Sequence, residues 1–173
     1  MPKNNTDRLL LGLILLLAVG LIAVVSGTLE QHVTVAGDTA PDFRVLTASG
    51  KTLSPVKFEG KLLILNFWAS WCPPCVEETP SMNQFAETMR SKGVVVLAVS
   101  VDRNEEAYKR FLKRYNVSYE TAFDPEADVS ASYGTFQFPE TYIIDKTGKV
   151  IEKIISNQNF TDPEFVDHIT KLL

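Results

Sequence analysis

Two nearly continuous apolar runs, Leu62 to Trp68 (LLILNFW) and Val94 to Val101 (VVVLAVSV), narrow the folds open to this chain more than any other feature. Runs of this kind are expected of strands covered on both faces. Between them the pattern changes period. Val76, Met82, Phe85 and Met89 recur at three- and four-residue steps, which predicts a helix to about Ser91, closed by Lys92-Gly93. A strand, a helix and a second strand in that order imply parallel strands joined by a crossover. Downstream, Glu105 to Tyr115 reads as an amphipathic helix with Tyr108, Phe111, Leu112 and Tyr115 on one side. Thr121 to Phe123 reads as a short strand and Ala127 to Tyr133 as a short helix. Thr141 to Ile144 and Lys149 to Ile155 flank the turn Asp145-Lys146-Thr147-Gly148 as a hairpin. A last helix is expected from Thr161-Asp162-Pro163-Glu164, read as a capping box with proline in the first turn, burying Phe165, Ile169 and Leu172. Upstream, Asp42 to Leu46 is a short strand candidate followed by a turn at Ala48-Ser49-Gly50-Lys51. The expected class is α/β: a mixed sheet with helices on both faces.

The 173 residues allow one domain plus a tail, and the tail is visible at the N-terminus. No charge falls between Leu9 and Leu29. As a helix those residues would span roughly 31 Å, enough to cross a hydrocarbon core. A cleaved signal peptide would have a shorter apolar region and a small-residue cleavage site, of which Val24-Val25-Ser26 is a poor version, so an uncleaved anchor is favoured. No cysteine lies near enough for lipoprotein-type acylation. Lys3 and Arg8 precede the span, offset only partly by Asp7, while Glu30, Asp38 and Asp42 follow it. The positive-inside tendency then places residues 1–8 in the cytoplasm and the body outside. The expected division is a tail at 1–8, a span at 9–29, a linker at 30–36 and a folded domain at 37–173. A net charge of −4 without a basic cluster gives no reason to expect nucleic acid binding.

The chain has only two cysteines, in Trp71-Cys72-Pro73-Pro74-Cys75, between the first buried strand and the helix. A pair this close removes little entropy from the unfolded chain, so it makes a poor staple, but it can close and reopen as a disulfide in place. In an oxidising compartment an exposed dithiol tends to be oxidised, which makes the pair more telling. Cys72 would sit at the helix N-terminus, where partial positive charge favours the thiolate that attacks disulfides. Cys75, one turn further in, would resolve the mixed disulfide. Pro73 and Pro74 remove two N–H groups that could have bonded the Cys72 sulfur, leaving that of Cys75. This predicts a thiol less acidic than in a strongly oxidising enzyme, suited to a reductant. A zinc site would need two further ligands, and neither His32 nor His168 has ligand spacing, so no metal is expected. Glu78 shares a helix face with Cys75; partly buried, its carboxyl would hold its proton more tightly and could accept one from Cys75. The competing reading of Glu78 is an ordinary first-turn acid. Glu77 is expected in solvent.

The segment Asn66-Phe67-Trp68-Ala69-Ser70-Trp71-Cys72-Pro73-Pro74-Cys75-Val76-Glu77-Glu78-Thr79-Pro80 resembles the active site of membrane-anchored thioredoxin-like proteins of the TlpA, ResA and DsbE/CcmG group. Gly37-Asp38-Thr39-Ala40-Pro41-Asp42-Phe43 resembles the start of their domain, and Phe138-Pro139-Glu140-Thr141-Tyr142-Ile143-Ile144-Asp145 their cis-proline segment, in the Pro-Glu-Thr form of DsbE/CcmG. The likeness covers about residues 37–173. It implies a thioredoxin-like sheet, a functional Glu78, an insertion at Asp102 to Phe138 and a cis Pro139. It also implies that the backbone at Phe138 could pair with an extended substrate beside Cys72. Glu140 either helps shape that groove or is a solvated loop charge. Trp71 is expected over the sulfur and Trp68 in the core. One departure stands out: the Gly-x-x-Gly-x-Pro pattern common in DsbE/CcmG becomes Tyr133-Gly134-Thr135-Phe136-Gln137-Phe138-Pro139, with one glycine and extra aromatics.

The resemblance implies an extracytoplasmic thiol–disulfide oxidoreductase on the cytoplasmic membrane. It would act on protein disulfides, those of apocytochrome c above all, be re-reduced by a membrane electron donor, and need no organic cofactor. Other readings are a general disulfide reductase, a peroxidase of the peroxiredoxin kind, or a non-catalytic binding module. The peroxidase reading lacks the Thr-x-x-Cys nucleophile, because Ala69 stands in the threonine's place.

Overall fold

The computed structural model of the chain describes residues 4–28, 33–58 and 60–173. Two compact units emerge, divided after His32. The first contains α1 (Asn5–Thr28), whose leucines and valines are exposed along most of its length. It is the one helix among the described residues long and apolar enough to cross a membrane. The expected end of the span at Leu29 and the head of the linker with Glu30 and His32 lie outside the described residues.

The second unit is built on a five-stranded sheet. In chain order it contains β1 (Val45–Leu46), β2 (Thr52–Leu53), β3 (Leu62–Trp68), α2 (Pro73–Arg90), β4 (Val94–Ser100), α3 (Glu105–Arg114), β5 (Glu120–Phe123), α4 (Asp128–Ser132), β6 (Glu140–Asp145), β7 (Val150–Ile155) and α5 (Pro163–Lys171). Strands β1 and β2 form a small hairpin of their own, and the main sheet runs β5-β4-β3-β6-β7. The register joins Leu62 to Val94 and Trp68 to Ser100 in parallel, and Leu63 to Ile144 antiparallel. Every residue of β3 is buried, as a central strand with both faces covered requires.

Alternation along the strands sorts the core into layers. Leu63, Leu65, Phe67, Leu97, Val99, Tyr142 and Ile144 face one side, closed by Phe43, Leu53, Phe58 and Tyr133, with Val129 of α4 against them. Leu62, Ile64, Val94, Val96 and Ile143 face the other, under Met82, Phe85 and Met89 of α2 and Phe165 and Ile169 of α5. Tyr108 and Phe111 of α3 continue that second layer over Trp68 and Ala98. Helices therefore lie on both faces, as expected, although α4 is the only one on the first.

The start of α5 differs from the expected capping box. Asp162 is the cap, its Oδ1 accepting from the Glu164 N–H at 2.9 Å, while the Thr161 hydroxyl donates to Asn159 Oδ1. Proline at the first helical position shifts the cap one residue later, because its fixed φ suits N1. Leu172 is only half-buried, at the end of the helix.

Candidate active site

The site forms where β3 ends and α2 begins. Cys72 is the N-cap of α2, with extended backbone (φ −94°, ψ 106°), and the prolines follow in the first turn. The cap position points Cys72 Sγ across the open end of the helix, where it accepts one hydrogen bond, from the Cys75 N–H at 3.3 Å. This is the single donor that the two prolines left. Cys72 and Cys75 are joined in a disulfide, with Cα atoms 5.3 Å apart. Both are buried, Cys75 more fully (1% exposed, against 4% for Cys72), among Trp68, Ala69, Ala98, Val101, Tyr108 and Phe111.

The loop that carries Cys72 is fastened from the neighbouring strand. Asp102, just past β4, accepts from the Ser70 N–H at 3.0 Å, the Ser70 hydroxyl at 2.8 Å and the Ser100 hydroxyl at 2.8 Å. The Val101 N–H donates to the Trp68 carbonyl at 2.9 Å. Sequence reasoning missed Asp102. Its only signal was a carboxylate directly after an apolar strand.

The Phe138–Pro139 peptide is cis, as expected. The Phe138 ring meets that of Trp71 edge-on, with centroids 6.2 Å apart, and so brings the cis-proline loop against the cysteine loop. The Pro139 carbonyl accepts from the Ser156 N–H at 3.1 Å. Trp71 is 64% exposed, with Phe138 as its ring partner. Trp68 is in the core, as expected.

Glu78 is buried one turn beyond Cys75. Its Oε1 accepts from Asn66 Nδ2 at 2.9 Å and its Oε2 from the Gln158 N–H at 3.2 Å, while Asn66 Nδ2 also donates to Thr141 Oγ1 at 3.0 Å. Burial pushes the Glu78 carboxyl up from 4.5 to about 7, against the pull of the Gln158 and Asn66 hydrogen bonds. Glu78 is therefore buried beyond the first turn of α2 rather than placed in it as a solvated acid. Glu77 is exposed, as expected. Tyr119, beside this carboxyl, has its phenol pushed well above the ordinary range, by burial first and by the Glu78 charge as a lesser cause. Asn66 and Tyr119 were not anticipated. A lone amide inside the apolar LLILNFW run was the signal for Asn66.

Of the two readings open for Glu140, the solvated loop charge does not hold. It is 1% exposed, opens β6 opposite Phe67, and lies on the sheet face away from Glu78. The Tyr142 hydroxyl donates to its Oε1, and Lys153 Nζ, itself nearly buried, makes an ion pair with it at 2.5 Å. Burial of a carboxylate demands such partners.

A mixed sheet that carries a two-cysteine disulfide at a helix N-terminus, opposed by a cis-proline loop, defines a thioredoxin-like thiol–disulfide oxidoreductase. The comparisons narrow this. Residues 36–153 match the AhpC/TSA family, and the chain belongs to it. It is 34% identical over 173 residues to "Thiol-disulfide oxidoreductase ResA" of Bacillus thuringiensis subsp. konkukian, covering 99% of each chain. Among solved structures it is similar to a "thiol:disulfide interchange protein, thioredoxin family protein" of Chlorobium tepidum, at 27% identity and TM-score 0.65 over 79% of this chain and 98% of that one. It is also similar to the thioredoxin domain of a thiol-disulfide oxidoreductase from Bacteroides vulgatus, at 25% identity and TM-score 0.68 over 80% and 97%.

Proposed function

We propose that this oxidoreductase works as a reductant outside the cytoplasmic membrane, and that its task is to reduce the disulfide of apocytochrome c before haem attachment. The observation that carries the reductant reading is the single N–H donor on Cys72 Sγ. A thiolate held by one hydrogen bond is stabilised less than one held by several, so it gives up its electrons more readily. The cytochrome substrate rests on the Phe138-Pro139-Glu140-Thr141 segment and its likeness to the DsbE/CcmG group.

In the reduced protein the Cys72 thiolate attacks one sulfur of the substrate disulfide and releases the other as a thiolate. Cys75 then attacks Cys72 Sγ, which frees the second substrate sulfur and leaves the Cys72–Cys75 disulfide. Both electrons come from the cysteine pair. Glu78, poised near neutrality, accepts the Cys75 proton during resolution. Trp71, Phe138 and Pro139 hold an extended substrate segment beside Cys72. Glu140 acts from beneath, through its bonds to Tyr142 and Lys153, by fixing the strand that follows Pro139. Residues 9–29 serve as the anchor, with 1–8 in the cytoplasm, 30–36 as linker and 37–173 outside. A membrane electron donor restores the dithiol.

The test is Cys75→Ala, which leaves the mixed disulfide unresolved. Apocytochrome c should then be recovered linked to Cys72. Recovery of proteins unrelated to cytochrome c, with apocytochrome absent, would refute the substrate while leaving the exchange chemistry in place.

A further inference from the structure

Two clefts meet at Ser70 and Ala107, beside the loop that carries Cys72. One, of about 620 Å³, has Trp71 and Phe138 among its walls and belongs to the site already described. The other, of about 650 Å³, is lined by Val76 of α2 and by Ala107, Arg110, Phe111, Lys113 and Arg114 of α3. Its floor is apolar: Val76, Phe111 and Tyr115. Its rim is cationic: Arg110, Lys113 and Arg114, all exposed.

The helix period produces this arrangement. Ala107, Arg110, Phe111 and Arg114 are spaced three and four apart, so they share one face of α3. Asn83 of α2 ties the far end by donating from Nδ2 to the Tyr115 carbonyl at 3.0 Å. Little acid offsets the cations. Glu106 reaches only Arg110, at 3.5 Å and in solvent, and the Lys109–Glu105 pair lies outside the cleft lining. Arg114 lies over the Tyr115 ring at 5.5 Å, and Lys113 has no ion pair among the described residues. A local concentration of positive charge in a chain of net charge −4 is a local feature, since composition alone would make this surface acidic.

From this complementarity we infer that the cleft between α2 and α3 docks an acidic segment of the protein whose disulfide meets Cys72, with an apolar side chain on Phe111 and Val76 and carboxylates at Arg110, Lys113 and Arg114. The inference rests on protein disulfides being the substrates. It adds a second contact that selects among them by charge, reached by a segment that leaves the cysteine groove across Ser70 and Ala107. Exposed charge pairs of this kind are individually weak and screened by salt, so the cleft contributes selectivity and encounter rate more than tight binding.

The test uses binding without exchange. The oxidised full chain, held in nanodiscs of zwitterionic lipid, is titrated with two fluorescent peptides whose cysteines are replaced by serine. One carries an apolar residue followed by three glutamates, and the other has glutamines in place of the glutamates. At low salt the acidic peptide should bind about tenfold more tightly than the neutral one, as the sum of three exposed pairs. That preference should collapse towards unity in R110Q/K113Q/R114Q and in about 0.5 M salt. Circular dichroism of the variant checks that α3 persists. Equal affinity for the two peptides, or a preference that survives the triple substitution in a folded variant, overturns the inference. So does retention of anionic-lipid vesicles but not the acidic peptide by these cations, which would make the bilayer the partner. None of these outcomes touches the exchange chemistry, which trapping on Cys72 measures separately.

Discussion

Replacing Glu78 with glutamine isolates the electrostatic cost of the buried carboxyl at the active site. Burial raises this group from 4.5 to about 7, which makes the charged form about 3 kcal/mol less favourable in the folded protein than in the unfolded one. The folded value lies above the unfolded value, so the folded state binds the proton more tightly. Stability from this group is fully present below pH 4.5, declines as pH rises, and is lost once pH passes about 7. Glu78→Gln removes that dependence. The side chain keeps its shape, but its amide must face the donors of Asn66 and Gln158, and one mismatched contact costs about 1 kcal/mol. At pH 5, where ionisation of this group in the unfolded chain has already cost the parent about 0.8 kcal/mol, the two proteins should therefore be nearly equal in stability, and at pH 8 the variant should be about 2 kcal/mol more stable. Guanidinium unfolding of both oxidised proteins in the same micelles, followed by tryptophan fluorescence, measures the difference at each pH. A difference that stays constant from pH 5 to 8 would mean that Glu78 does not titrate in this window, and the argument for it as a proton acceptor would fall. In parallel, the rate of resolution in the parent should bend near pH 7, and the bend should disappear in the variant.

Asn66→Leu removes a donor to the charged carboxyl, so the Glu78 midpoint should climb and the bend in the pH–rate profile should move up with it; a downward or null displacement would contradict the hydrogen bond's role. Asp102→Asn leaves Ser70 and Ser100 facing a poorer acceptor and should cost about 1–3 kcal/mol in unfolding, with an increase in Trp71 mobility by fluorescence anisotropy. Lys153→Met strands the Glu140 carboxylate in the core and should cost about 3–5 kcal/mol, whereas E140Q/K153M should recover most of the loss. If the double variant is as unstable as the single one, the ion pair is not the source of the cost.

Much of this was legible in the sequence because it depends on local pattern. The buried strands β3 and β4, the helix between them and the late hairpin follow from apolar runs and period changes, which reflect which faces must leave water. The placement of Cys72 at a helix N-terminus with one remaining N–H donor follows from two prolines at fixed positions. What sequence could not decide is what meets across the sheet. Glu78 gains Asn66, Gln158 and burial from a distant strand and loop, and only that company moves its carboxyl to about 7. Glu140, whose surroundings the sequence left open, is turned inward by its register opposite Phe67 and is satisfied by Lys153 from the next strand. Asp102 likewise becomes a clasp only because β4 ends beside the loop that leaves β3. Local patterning is written in the spacing of neighbours along the chain. Desolvation and pairing are set by residues brought together from far apart, and those only the folded chain assembles.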